Sequence, residues 1–396
     1  MNSKPALETQ ALPRISVVIP VFNGGSSLEK CLAAVAASST PAFECILVDD
    51  ASTDGMAEAA AGRQGVRVIS LKQQSGPGVA RNSGASEARG DILFFIDADV
   101  LLHPDALTTA AGALTNDPGL SAVFGSYDDQ PGHTSFLSQY RNLFHHWVHQ
   151  TGNEEASTFW AGCGAIRREV FVEMGGFSPV YGRPSIEDIE LGTRLRRSGH
   201  RIRLLKTMLG RHMKNWTFWN LIKTDIFHRG VPWMGLVLRE RQAPSDLNLG
   251  LGSRIATILA GLLAVSWLAL PITGHAAALL PATGFLLAAA ISIWLSQPAG
   301  RHNGRTWLAL LLVVLMPFVA YSLAPDPRAV IPLALILGLI STHLAFYRYV
   351  ARKRSGAFAV AVIPMQVLFF LGCVVSAVIG LTKYCFGKQT TNTQKL

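Results

Sequence analysis

Two carboxylates, Asp97 and Asp99, stand two residues apart and give the clearest chemical signal in this chain of 396 residues. They follow residues 91–96, a largely apolar run that is typical of a buried β-strand. Because side chains at positions i and i+2 of a strand face the same way, both carboxylates can reach one site beyond the strand end. Hard oxygen donors of this kind suit Mg²⁺ or Mn²⁺, with phosphate oxygens as further ligands. An isolated Asp-x-Asp is more often a solvated turn, so the surrounding sequence has to decide.

Polar side chains also follow two earlier runs of strand character. Asn23 comes shortly after residues 15–20, and the pair Asp49 and Asp50 comes after residues 43–48. In a doubly wound sheet such strand ends converge on one crevice, which is where these folds bind ligands. Each aspartate has the alternative role of capping a helix, which is the commoner one in such loops. Several polar strand ends in one crevice nevertheless argue against coincidence.

The elements that must position these residues alternate between strand and helix patterns. Short β-branched runs predict the strands, and apolar residues recurring every three to four positions predict the helices. This alternation predicts a parallel sheet with right-handed crossovers. The pattern is less regular over residues 126–159, which are rich in histidine and aromatic residues. The predicted strands are 15–20, 43–48, 66–71, 91–96, 120–124 and 202–205, and the predicted helices are 28–37, 76–87, 171–176 and 189–198.

Five short motifs follow one another in a fixed order along roughly the first 240 residues. They are residues 16–23 (SVVIPVFN), 48–55 (VDDASTDG), 80–84 (ARNSG), 95–99 (FIDAD) and 185–191 (SIEDIEL). Each motif alone is a modest signal, but together they are highly specific. With them the chain resembles the family 2 glycosyltransferases. The resemblance implies the GT-A fold, a Rossmann-like α/β domain that binds nucleotide-diphospho-sugars.

The resemblance implies a set of residues that bind the donor. Asp50, with Asp49, would accept hydrogen bonds from the base, which suits the N3–H of uracil and favours a UDP-sugar, while guanine and thymine stay open. Arg81 would be the counter-charge near the diphosphate, and a surface cation on a helix is the competing interpretation. The full donor set is Pro20, Val21, Phe22, Asn23, Asp49, Asp50, Gly76, Arg81, Asp97 and Ala98.

The resemblance also implies a metal site and a catalytic base. Asp99 and Asp97 would bind the divalent cation, and His212 matches a position where relatives often supply a further ligand, although a lone histidine is more often structural. Asp188, beside Glu187, would take the proton from the acceptor hydroxyl, and the anomeric configuration would invert. Because Asp188 lies at a predicted helix start, we expect the helix dipole to lower its pKa.

The resemblance also implies an acceptor site, formed by three residues that precede Glu187 and Asp188 in the chain: Trp160, Gly162 and Cys163. Gly162 and Cys163 would form a loop whose backbone lies close to the acceptor, with Trp160 as a platform on which a sugar stacks. A buried structural tryptophan is an equally good interpretation of Trp160. For the pair Glu187 and Asp188, the plain alternative is capping of the helix that runs through Arg197.

The C-terminal part of the chain has a different composition. Residues 255–396 carry 10 Lys and Arg but a single acidic residue, and therefore supply all of the formal charge of +9. This surplus lies in loops between apolar runs, as in the positive-inside pattern of membrane proteins, and does not indicate nucleic-acid binding. The predicted spans are 255–273, 276–296, 307–324, 329–348 and 358–382, with the basic loops 297–306 and 347–357 on the cytosolic side.

Residues 214–241 predict a helix in the membrane interface, because Trp216, Trp219 and Phe227 fall near one face with basic residues beside it. An ordinary amphipathic helix packed on the protein is the alternative. The predicted organisation is a disordered N-terminus (1–14), a GT-A domain (15–213), amphipathic interface helices (214–254), about five transmembrane helices (255–382) and a tail (383–396).

These patterns together predict an integral membrane enzyme of a bacterial-type inner or plasma membrane, with a cytosolic catalytic domain that works in cell-envelope glycan synthesis. It would move a sugar from a nucleotide-diphospho-sugar to a hydroxyl group of a lipid or of a lipid-linked or cell-surface glycan. A polyprenyl phosphate is the alternative acceptor, but it is already ionised and needs no base. A catalytically inactive membrane scaffold is the alternative from another class of protein.

Overall fold

The contacts among residues divide the chain into two units. The computed structural model describes residues 13–62, 65–240, 247, 250–280, 283–284, 319 and 325–386. The first unit comprises residues 1–127 and 153–213, and the second comprises residues 128–152 and 214–396. The sequence-based boundaries placed residues 128–152 in the first domain, whereas their contacts group them with the C-terminal part. Most of the predicted disordered N-terminus (1–14) and of the predicted tail (383–396) lies outside the described residues.

A mixed nine-stranded sheet forms the centre of the first unit. The order of its strands is β3-β2-β1-β4-β8-β6-β9-β5, and β7 pairs with β9. The strands are β1 (Ile15–Val21), β2 (Glu44–Asp49), β3 (Val66–Ser70), β4 (Ile92–Ile96), β5 (Val100–Leu102), β6 (Leu120–Tyr127), β7 (Glu155–Ala156), β8 (Cys163–Arg167) and β9 (Arg201–His212). The first four strands are parallel to one another, as predicted, through the pairs β1–β2, β1–β4 and β2–β3. The pairs β4–β8, β6–β8, β5–β9 and β7–β9 are antiparallel, which makes the complete sheet mixed.

The described helices of the first unit pack on this sheet. They are α1 (Gly25–Ala36), α2 (Met56–Ala61), α3 (Pro77–Glu87), α4 (Ala106–Asn116), α6 (Arg168–Glu173) and α7 (Glu187–Arg197). In α1 the buried residues are Leu28, Cys31, Leu32 and Val35, which is the face that the sequence predicted. Helix α3 lies very close to the sheet, because a Cβ atom at Gly84 would come within 2.5 Å of the Val18 side chain. This close approach brings the residues of α3 near the strand ends.

The second unit contains a helix that the sequence did not predict, α5 (Phe136–Thr151). Its buried side includes the polar residues Ser138, Gln139 and Asn142 as well as aromatic ones, so the apolar periodicity that marks a helix is interrupted. Tyr140 is fully buried there, and its hydroxyl donates to the Gln366 carbonyl oxygen at 2.8 Å.

The other described helices of the second unit follow residue 214. They are α8 (Phe218–Lys223), a π-helical turn (Thr224–Gly230), α9 (Val231–Glu240), α10 (Leu251–Ile272), α11 (Val330–Thr342), α12 (Leu344–Lys353) and α13 (Gly356–Phe386). Two of them, α10 and α13, are long and apolar enough to cross a membrane. A third span is formed if residues 327–342 and 344–353 count as one helix that bends by 62°.

These helices overlap the predicted spans 255–273, 329–348 and 358–382. Of the predicted span 276–296 the structure describes residues 276–280, with a 3₁₀ turn at Ala276–Leu279, and 283–284. The loop 297–306 and all of the span 307–324 except residue 319 lie outside the described residues, so a total of about five spans stays a prediction. The predicted basic loop 347–357 is wrong over most of its length, because α12 continues to Lys353. Helix α12 has an apolar side formed by the buried residues Phe346, Tyr347 and Val350. The predicted span 329–348 had included the first half of this helix.

The predicted interface helix is only partly as expected. Trp216 is buried and precedes α8, so it does not belong to the exposed helical face. Trp219 and Phe227 are 75% and 54% exposed, as a membrane-facing stripe requires. The opposite side packs on α13, where a Cβ atom at Gly380 would lie 2.6 Å from the Met234 side chain. The helix is therefore packed on one side, and insertion of its aromatic side into a membrane interface stays a prediction.

Candidate active site

The pair Asp97 and Asp99 lies in the short turn between β4 and β5. The Asp97 carbonyl accepts from the Val100 amide at 3.0 Å, which closes the turn. Antiparallel pairing of β5 with β9 places Val100 opposite His212. As a result, the Asp99 carboxylate lies 3.6 Å from Nε2 of His212. The structure thus brings together two of the three predicted metal ligands, although they are distant in sequence.

Aromatic rings hold His212 in place. The Tyr127 ring stacks on the imidazole with a centroid distance of 4.2 Å and an angle of 6°. The Trp160 ring in turn packs edge-on against the Tyr127 ring, with 4.9 Å between the two centroids. Sequence reasoning missed Tyr127, because the predicted strand stopped at residue 124 while β6 continues to Tyr127. An aromatic residue directly after that apolar run was the available signal.

The donor set at this point suits a divalent cation that also has phosphate ligands. Within the described ranges there is no group of three or more His, Cys, Asp or Glu side chains arranged to hold a metal ion. Asp99 and His212 offer one hard oxygen and one imidazole nitrogen, and Mg²⁺ or Mn²⁺ commonly takes its remaining ligands from substrate phosphates and water. The residues therefore fit a cation that binds together with a diphosphate.

Arg81 lies at the centre of the site. It is 4% exposed, so the interpretation as a surface cation is wrong. Its Nη2 donates to Asp97 at 2.6 Å and its Nη1 donates to Glu187 at 3.0 Å. The guanidinium also lies over the Phe177 ring, 5.5 Å from the centroid. Both terminal nitrogens are thus engaged by protein carboxylates, and the predicted role as a counter-charge for the diphosphate remains untested.

The pair Glu187 and Asp188 begins α7, as the catalytic-pair prediction requires. Glu187 is buried, and its second carboxylate oxygen accepts from the Ser185 amide at 3.0 Å. Asp188 accepts from the Ile189 amide at 2.8 Å and from the Ala161 amide at 3.1 Å. The last contact joins the helix start to the loop before β8.

The same loop contacts both Asp97 and Asp188. The Gly162 carbonyl accepts from the Asp97 amide at 3.4 Å, while the neighbouring Ala161 amide donates to Asp188. Asp97 and Asp188 are therefore connected twice, through residues 161–162 and through Arg81 and Glu187. The sequence placed these carboxylates in one site, and the structure brings them together.

Asp188 is tuned towards a neutral pH. Burial and the adjacent negative charge of Glu187 raise the pKa of Asp188 to about 7, against the opposing effects of Arg81 and the two backbone donors. The predicted lowering of this pKa by the helix dipole is therefore wrong. Burial disfavours the charged carboxylate more strongly than the helix start favours it. A carboxylate with a pKa near the working pH is well suited to general-base chemistry.

Asp50 organises the loop that leads into α3. It is buried, and its two oxygens accept from the amides of Ser75 at 2.7 Å and Gly76 at 2.8 Å. Gly76 has a φ of +91°, and a Cβ atom there would lie 2.7 Å from the backbone of Gly182. Asp50 thus fixes the loop near the expected diphosphate, and its direct contact with a base stays a prediction. Asp49 accepts from the Ser52 amide at 2.9 Å.

The loops after β1 and β2 are tied together by Asn23. The backbone amide of Asn23 donates to the Ser52 hydroxyl at 2.9 Å, and its side-chain oxygen accepts from the Thr53 backbone amide at 2.8 Å. The predicted base-binding residues divide into two sets. Phe22 and Asn23 are exposed, whereas Pro20 and Val21 are buried in β1, so their side chains are part of the sheet rather than of an open surface. Ala98 is half-buried between the two aspartates.

The predicted acceptor loop is close to the carboxylates, but its three residues differ. Trp160 is half-buried. Its ring packs on Gly162 so closely that a Cβ atom there would lie 2.5 Å from the ring, so only glycine fits at position 162. Cys163 is fully buried in β8 opposite Ile96, and burial raises the pKa of its thiol. The Cys163 side chain therefore belongs to the core, and an approach of its backbone to the acceptor stays a prediction.

Comparison with known proteins finds a family match for part of the chain. Residues 16–175 match the model of Glycosyl transferase family 2. The chain is 32% identical over 126 residues to the glycosyltransferase AglE of Haloferax volcanii, which covers 30% of this chain and 41% of that protein. It is 40% identical over 101 residues to an undecaprenyl-phosphate 4-deoxy-4-formamido-L-arabinose transferase of Pseudomonas paraeruginosa, which covers 24% of this chain and 30% of that protein. The chain thus spans less than half the length of these relatives.

A solved structure shares the fold over nearly the whole chain. It is the mannosyltransferase PcManGT of Pyrobaculum calidifontis, in complex with GDP-Man and Mn²⁺. The TM-score is 0.53 with 18% identity, over 96% of this chain and 89% of that one. The predicted GT-A fold is therefore confirmed.

Proposed function

With a family 2 glycosyltransferase domain at residues 16–175 as the premise, we propose that this protein moves a sugar from a nucleotide-diphospho-sugar to a hydroxyl group, with inversion at the anomeric carbon. The observation that carries the proposal is Asp188, a carboxylate whose pKa is raised to about 7 and which shares one loop with Asp97. A base of this kind has a task only if the acceptor must lose a proton.

The chemistry of the transfer follows from where the residues lie. Asp99 and His212 would hold the divalent cation, which supplies charge neutralisation for the departing diphosphate when it is bound. Asp188 takes the proton from the acceptor hydroxyl as that oxygen attacks the anomeric carbon. The backbone amides of Ala161 and Ile189 hold the Asp188 carboxylate in place. Attack from the face opposite the diphosphate gives the inverted product.

We propose a lipid or a lipid-linked or envelope glycan as the acceptor and a bacterial-type plasma membrane as the location, with the catalytic domain in the cytosol. The two helices of membrane-spanning length support an acceptor at the membrane. The relative from Pseudomonas paraeruginosa, named as an undecaprenyl-phosphate transferase, keeps a polyprenyl phosphate as the second candidate acceptor. A phosphate acceptor would leave Asp188 without a proton to remove. A large loss of transfer on substitution of Asp188 would therefore favour a hydroxyl acceptor over a polyprenyl phosphate.

Nucleotide binding tests the proposal directly and identifies the base. UDP, GDP and dTDP, each with Mn²⁺, should be compared by thermal shift on the full chain in detergent. We expect one diphosphate to raise Tm in the presence of Mn²⁺ and to lose most of this effect with EDTA, since a ligand at 100 times its Kd stabilises a protein by about 2.7 kcal/mol. AMP is the control. If no diphosphate shifts Tm, the inactive scaffold becomes the better description.

The pH dependence of transfer should report the state of Asp188. A protonated Asp188 cannot accept a proton, so kcat/KM should fall as the pH falls, with half of the maximal value near pH 7. The measurement is kcat/KM at constant ionic strength from pH about 5 to about 9. A profile that stays flat down to pH about 5 would show that a different group, or none, acts as the base.

A further inference from the structure

Arg81 is the structural link between the two halves of the proposed site. Its guanidinium reaches Asp97 on one side at 2.6 Å and Glu187 on the other at 3.0 Å, although Glu187 is 106 residues further along the chain. The residue is almost fully buried, and its Nε has no hydrogen-bond partner among the residues that the structure describes. A buried cation with two carboxylate partners costs desolvation energy, and its position between the donor side and the base side suggests more than a contribution to stability.

The geometry of this link depends on a guanidinium. The planar fork of arginine presents separate N–H groups to two carboxylates at once, whereas a lysine ammonium is a single point charge on a flexible stem. Phe177 lies against the guanidinium and restricts its orientation. The packing of α3 at Gly84 fixes the helix from which Arg81 extends.

We propose that Arg81 is a positioning residue for the transfer: it holds the strand end with Asp97 and the helix start with Glu187 at a fixed separation, so that Asp188 stays aligned with the bound donor. This inference rests on the proposed function. Arg81 need not touch the substrate to act in this way. It keeps two carboxyl-bearing elements in register, and a small misplacement of a catalytic group is costly for the rate.

The charges around Asp188 give the proposal a second readout. Among the described residues, the charged groups that act on Asp188 are Glu187 beside it on α7 and Arg81 from α3. The backbone amides of Ala161 and Ile189 complete its surroundings. Arg81 favours the ionised form of Asp188 and Glu187 opposes it. Removal of the positive charge therefore leaves Glu187 unbalanced and moves the ionisation of Asp188 to higher pH.

Two substitutions separate geometry from charge. Arg81→Met removes both the guanidinium fork and its positive charge. We expect kcat to fall on the order of 100-fold, while the acid limb of kcat/KM moves up by about one pH unit. Arg81→Lys keeps the charge but not the fork, so kcat should fall while the acid limb stays near that of the wild type. The matched control is Arg167→Met, since the Arg167 guanidinium donates to the carbonyls of Leu114, Pro118 and Leu120 rather than to a carboxylate of the site. It should lower Tm without moving the pH profile.

The outcomes distinguish this inference from the proposed function. A wild-type protein without transfer or donor hydrolysis on any nucleotide sugar overturns both. An active wild type with an Arg81→Met variant whose kcat and acid limb match those of Arg167→Met overturns only the role of Arg81. If Arg81→Met does not fold, Arg81→Lys decides. Loss of kcat at an unchanged acid limb supports positioning, and wild-type kcat in Arg81→Lys contradicts it.

Discussion

Replacement of Asp188 by Asn should reduce sugar transfer by about 10²–10⁴-fold, the usual contribution of a general base, and should leave nucleotide binding intact. Asn has nearly the same shape, and its one carbonyl oxygen can still accept from the Ala161 amide, which keeps the loop before β8 in place, whereas the hydrogen bond from the Ile189 amide to the second oxygen is lost. It cannot take a proton from the acceptor. The effect should therefore appear in kcat rather than in the Tm shift produced by the nucleotide. The residual activity should also lose the acid limb near pH 7.

The control for this variant is Asp91→Asn. Asp91 is a half-exposed carboxylate of the same unit that pairs with Arg14 at 3.1 Å, away from the site. Exposed pairs of this kind contribute little to stability, so both transfer and Tm should stay close to the wild type. An Asp188→Asn protein that transfers sugar at the wild-type rate would eliminate Asp188 as the base and would favour an acceptor that is already ionised.

Removal of the divalent cation should have an effect of similar size. We expect EDTA to abolish transfer and Mn²⁺ to restore it, because the charge on the departing diphosphate would otherwise be uncompensated. Asp99→Ala should cost about 10²–10³-fold in kcat, as for other single groups that stabilise developing charge. His212→Ala should mainly raise the Mn²⁺ concentration needed for half-maximal activity, on the order of tenfold or more.

A second control isolates the metal effect from general damage. Glu58→Gln changes an exposed carboxylate on α2 and should leave the Mn²⁺ dependence unchanged. Full transfer by the wild type in EDTA would contradict a metal-assisted mechanism. Equal Mn²⁺ dependence in Asp99→Ala and the wild type would place the cation elsewhere.

The parts of the fold that were predicted are those whose signal is local. Strands β1 and β4 are buried along their whole length, so they occur as apolar runs that only Ser16 of β1 interrupts, and α1 shows its buried face at helical spacing. Helix α5 was missed because it buries Asn142 and other polar residues, whose partners come from distant segments. Partners such as the Asp128 carbonyl, to which Asn142 donates at 2.7 Å, cannot be inferred from periodicity.

In the site, too, local motifs could be predicted from the sequence, whereas contacts between distant segments could not. Asp97, Asp99 and Asp188 were found because they belong to short motifs, and His212 lies beside Asp99 as expected. The link through Arg81 was not predicted, since it joins segments that are far apart in sequence. The direction of the pKa of Asp188 was wrong for a related reason. A helix start is visible in the sequence, but the depth of burial is set by the packing of the loop around Ala161.

In the mechanism that we propose, one crevice holds the cation next to Asp99 and His212 and the base Asp188 on the far side of the sugar. The most direct test is a crystal structure of the full chain with a nucleoside diphosphate and Mn²⁺, in which anomalous scattering locates the metal. We predict a Mn²⁺ peak bound by Asp99 and His212 and by the diphosphate, with the Asp188 carboxylate facing the space left for the sugar. A diphosphate bound away from Asp99, or an Asp188 side chain that opens onto a different cavity, would contradict the account.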